Sequence, residues 1–83
     1  MDGKWHLQAL RINDSGNYDV MITSGLRTME PNRKINNVKK NVIDTIIRYD
    51  DVEYLLKNPK NGGERFRPLM DWELKEILKH SDN

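Results

Sequence analysis

The run 35–57, INNVKKNVIDTIIRYDDVEYLLK, constrains this chain most, because it is the longest segment with regular apolar spacing. Ile35, Val38, Val42, Ile46, Tyr49, Val52 and Leu56 fall three or four apart, so on a helix they form one stripe, which Ile43, Ile47 and Leu55 widen. The spacing predicts a long helix over 33–57. Unbroken, it would extend roughly 34 Å at 1.5 Å per residue, long for so small a domain. A bent or broken helix therefore stands beside a straight one. Asp50 with Glu53 three residues on is a variant capping pattern and marks Asp51 as the start of a second short helix.

With 83 residues, the chain makes one domain with a thin core. Only 36% of residues are hydrophobic and 33% are charged, yet the apolar residues cluster with clear periodicity, which a disordered chain lacks. With no cysteine, a disulfide framework and a zinc ribbon are both excluded. His6 and His80 stand alone, so no metal or cofactor site is expected. There is no apolar run of transmembrane length and no signal-peptide pattern at the N-terminus, so the expectation is a cytosolic protein without membrane contact. Nine asparagines and seven isoleucines point to an AT-rich coding sequence, as in low-GC bacteria and their phages; a phage protein would act in the host cytoplasm.

Before the central run, 4–12 and 18–23 alternate as strands, and Asn13, Asp14, Ser15 and Gly16 between them are turn formers. A hairpin over 4–24 is predicted, with a four-residue loop and Gly16 in the left-handed position. Regular alternation sets Trp5 opposite Ser24, Leu7 opposite Ile22, Ala9 opposite Val20 and Arg11 opposite Tyr18. Trp5, Leu7, Ala9, Tyr18, Val20 and Ile22 would then face the long helix. Leu10, Ile12 and Met21 would share the other face, which is either covered by the C-terminal segment or is an interface. Open hairpin edges are also available to a partner strand.

The segment 25–34 reads as a loop, within which Asn32 is placed to cap the long helix. A Gly-rich turn over 58–64 follows that helix, and a short C-terminal helix over 68–80 closes the chain, starting at Pro68 or capped by Asp71.

Three groups of residues invite chemistry. Arg33, Lys34, Lys39, Lys40 and Arg48 would line a basic face of the central helix suited to nucleic-acid phosphates, or simply a solvated face. Arg65, Phe66 and Arg67 beside Gly62 and Gly63 form either a recognition loop or a plain turn. Asp50, Asp51 and Glu53 are explained by helix capping, although paired carboxylates also serve acid–base work. No nucleophile setting and no Walker or dinucleotide motif is present, so no enzyme is expected.

The expected architecture is α+β: an N-terminal antiparallel hairpin packed on a long helix, kinked or broken, with a short C-terminal helix. The expected function is non-enzymatic binding of a macromolecule through a protein–protein interface, as an inhibitor, adaptor, structural component or self-associating subunit. Trp5, Leu10, Ile12, Met21, Arg65, Phe66, Arg67 and Trp72 are its candidate contacts. The alternative is nucleic-acid binding through the basic helix face. No small-molecule substrate is expected.

Overall fold

A computed structural model of the chain describes residues 5–24, 32–57 and 68–82. Among these, the element order is β1 (Trp5–Ile12), β2 (Tyr18–Ser24), β3 (Arg33–Val38), α1 (Lys40–Ile46), α2 (Tyr49–Lys57) and α3 (Asp71–Lys79). The fold is α+β: β1, β2 and β3 pair in that order as an antiparallel sheet, and α2 packs on β1 while α3 packs on β3 and α1.

The hairpin forms as expected, with two differences of register. Ile12 pairs with Tyr18, so the loop spans 13–17, one residue more than predicted. Asn13 explains the longer turn: its Oδ1 accepts the N–H groups of Ser15 at 2.9 Å and Asn17 at 3.1 Å. Gly16 takes the left-handed conformation that its position demands, with φ 79°.

The second difference lies inside β1. Trp5 faces Ser24 and Leu7 faces Ile22 as alternation predicts, but Gln8 is an extra residue, and Ala9 pairs with Met21 where Val20 was expected. Arg11 likewise faces Asp19, not Tyr18. A one-residue bulge exchanges the faces of everything beyond it. Leu10 therefore joins Leu7, Tyr18, Val20 and Ile22 in the core, in the place expected for Ala9. Deleting Gln8 would leave WHLALRI, which alternates without a bulge and keeps every observed partner. We expect that deletion to change stability by no more than about 1 kcal/mol. Urea unfolding of the deletion variant tests this, and failure to fold would show that the bulge itself is required.

The largest correction concerns 33–57, which is not a long helix. Arg33–Val38 is a third strand, so Asn32 precedes a strand and caps nothing. Val38 pairs with Tyr18 and Ile35 with Val20, so Asn36 and Asn37 together oppose Asp19 alone, and Asn37 sits in the bulge with φ 54°. The bulge lets Ile35 and Val38, three apart, both point into the core at 0% exposure. Asparagine adopts positive φ more readily than most residues and is a modest helix former, which favours this outcome over helix for the Asn36–Asn37 pair.

Helix begins only at Lys40, after Lys39, and it is short. Five of the six residues Val42, Ile43, Asp44, Thr45, Ile46 and Ile47 are β-branched, which costs side-chain freedom in a helix. The chain turns extended at Ile47, and α2 restarts when Asp51 and Val52 donate to the carbonyl of Arg48. Asp50 and Asp51 thus lie in the first turn of α2 rather than capping it, where carboxylates favour the helix dipole. Ile43, Val52 and Leu55 point to the sheet.

The C-terminal helix starts at Asp71, not at Pro68, and the carboxylate of Glu73 reaches back to accept the Met70 N–H at 2.7 Å. Its flanks are tied to opposite edges of the sheet. Leu69 N–H donates to the Trp5 carbonyl on β1, whereas Lys39 N–H donates to His80 and Asp82 N–H donates to Asn36 on β3. Nine residues of helix reach roughly 13 Å, enough to cross the two inter-strand gaps of about 4.8 Å. Parts of both outer edges, expected to be open, are thereby occupied by the chain itself. The expected glycine-rich turn 58–64 lies outside the described residues.

Candidate functional site

The helices pack against the core residues of the sheet, and its other face carries a hollow. Cross-strand pairing sets its content. Ala9, Met21 and Lys34 form one row across the three strands, and Arg11 and Asp19 lead the next row into the β3 bulge at Asn36 and Asn37. Of these, all but Asn37, together with Leu10, Val20 and, from α2, Leu56, line this hollow of about 380 Å³. Ala9 and Met21 contribute apolar surface to it, and Arg11 and Lys34 stand on opposite outer strands.

One carboxylate, Asp19, lies in this face, and its charge is well compensated. It accepts the Asn37 N–H at 3.0 Å, Asn13 Nδ2 at 3.2 Å and Arg11 at 3.3 Å. The Asn37 N–H first, then the Asn13 amide and, to a lesser degree, the Arg11 guanidinium, hold its pKa below the ordinary aspartate value against an opposing effect of burial. Charge is also unevenly shared between the layers. The strands carry Arg11, Arg33 and Lys34 against Asp19 alone, whereas the helices carry seven carboxylates against four cations.

The residues expected to make an interface are dispersed. Leu10 is buried at 3% exposure and leaves that list; the Gln8 bulge turned it inward. Ile12 follows it to the core side, but at the sheet's end, where it stays 56% exposed. Met21 alone of that trio occupies the open face, half-buried. Trp5 is half-buried against the core, and its bond to Leu69 joins it to the segment that bears exposed Met70 and Trp72. Arg65, Phe66 and Arg67 lie outside the described residues.

The basic helix face does not exist as such. Arg33 and Lys34 are in β3, Lys39 precedes α1, Lys40 opens it and Arg48 sits between α1 and α2, all five exposed. Within β3, Arg33 pairs with Ile22 and Lys34 with Met21, so the two point to opposite faces. Lys40 binds Asp44 at 2.7 Å, which raises the lysine pKa and neutralises it as a phosphate contact.

The acidic step is surface. Asp50 and Glu53 are exposed, Glu53 accepts the Tyr49 hydroxyl at 3.0 Å, and neither carboxylate lines the hollow. Among the described residues no group of three or more His, Asp or Glu is arranged to hold a metal ion, and no helix is long and apolar enough to cross a membrane.

Sequence reasoning overlooked Ala9, Arg11 and Asn36 as site residues. They are far apart in the chain and meet only because a third strand pairs with β2. Among known proteins, no family model, no curated protein and no solved structure matches this chain.

Proposed function

We propose that this protein is a non-catalytic binding module that works through protein–protein contact on the open face of its sheet. The observation that supports this reading most is the hollow lined by Ala9 and Met21, with Leu56 of α2 at its border, on the face of the sheet turned away from the core. A face built this way gains by burying apolar surface with polar groups at its rim, which is the anatomy of a protein interface. Nucleic-acid binding fits less well, since the five cations expected to track phosphates are split among a strand, a helix start and a linker. The exposed carboxylates of Asp50 and Glu53, outside the hollow, likewise favour binding over catalysis.

Solution mass, measured by light scattering with and without a random-sequence duplex oligonucleotide, tests the reading. We expect no DNA-dependent increase at either low or moderate salt. A mass increase at ~50 mM salt that is lost at ~200 mM would overturn it, because several phosphate contacts give that salt dependence.

A further inference from the structure

We draw no further inference here: the strongest candidate, the hollow lined by Ala9, Met21 and Leu56 on the sheet face turned away from the core, carries none because nothing in the structure shows what covers it.

Discussion

Leu10→Asp is expected to abolish cooperative folding, whereas Met21→Asp is expected to leave the protein folded. The two residues are apolar, occupy neighbouring strands and by simple alternation share a face, so the contrast depends wholly on the Gln8 bulge. Leu10 is 3% exposed and pairs with Val20, itself 2% exposed, so an aspartate there loses the leucine's burial and leaves a carboxylate without a partner in the core. The combined cost is on the order of 4–5 kcal/mol. A domain of 83 residues has roughly 4–12 kcal/mol in total at 0.05–0.15 kcal/mol per residue. On the open face an aspartate at 21 stays hydrated and sits opposite Lys34, with a change within about 1 kcal/mol. Far-UV circular dichroism with urea titration separates the outcomes. A folded Leu10→Asp beside an unfolded Met21→Asp would mean that the bulge is misplaced and the faces reversed.

The same bulge shows which parts of the fold were legible. The hairpin arms, Gly16 in its turn and the helix carrying Leu74, Ile77 and Leu78 follow from local chemistry, and the structure retains them. β3 was not legible because strand periodicity is two only where the strand is regular. One inserted residue makes it three, and Ile35 with Val38 then imitates a helical stripe that runs on smoothly into Val42 and Ile46. The signal that could have separated the two was the Asn36–Asn37 pair, poor in a helix interior but suited to a left-handed bulge between β-branched residues. The site depended on the same error. Lys34 stood out as a cation, but its contribution to a surface with Ala9 and Arg11 requires β3 to lie beside β2.

Asn37→Ala is expected to lower stability by roughly 2–3 kcal/mol, which for a domain of this size moves the melting midpoint by about 10–20 °C. Asn37 joins four parts of the chain. Its Oδ1 accepts from Asn13 at 3.0 Å and Asn17 at 3.1 Å in the turn, its Nδ2 donates to Asp82 at 2.6 Å after α3, and its N–H donates to Asp19 on β2. Asn17 in turn accepts the Lys40 N–H at 3.2 Å, so the start of α1 is held through the same turn. Alanine removes the side-chain bonds and also puts a less tolerant residue at φ 54°. Asn37→Gly separates the two effects: it relieves the backbone and should recover up to about 1 kcal/mol of the loss, the remainder being the hydrogen bonds. Acid titration probes the Asp19 end of the cluster. Its folded pKa lies below the unfolded value, so its stabilisation is complete above about pH 4 and is lost as pH falls through the folded value. Asp19→Asn should therefore be less stable than the parent at neutral pH and show a shallower decline in acid. If Asn37→Ala and Asn37→Gly both unfold at the parental temperature, the cluster is a surface arrangement without energetic weight, and the bulge must be held by Ile35 and Val38 in the core alone.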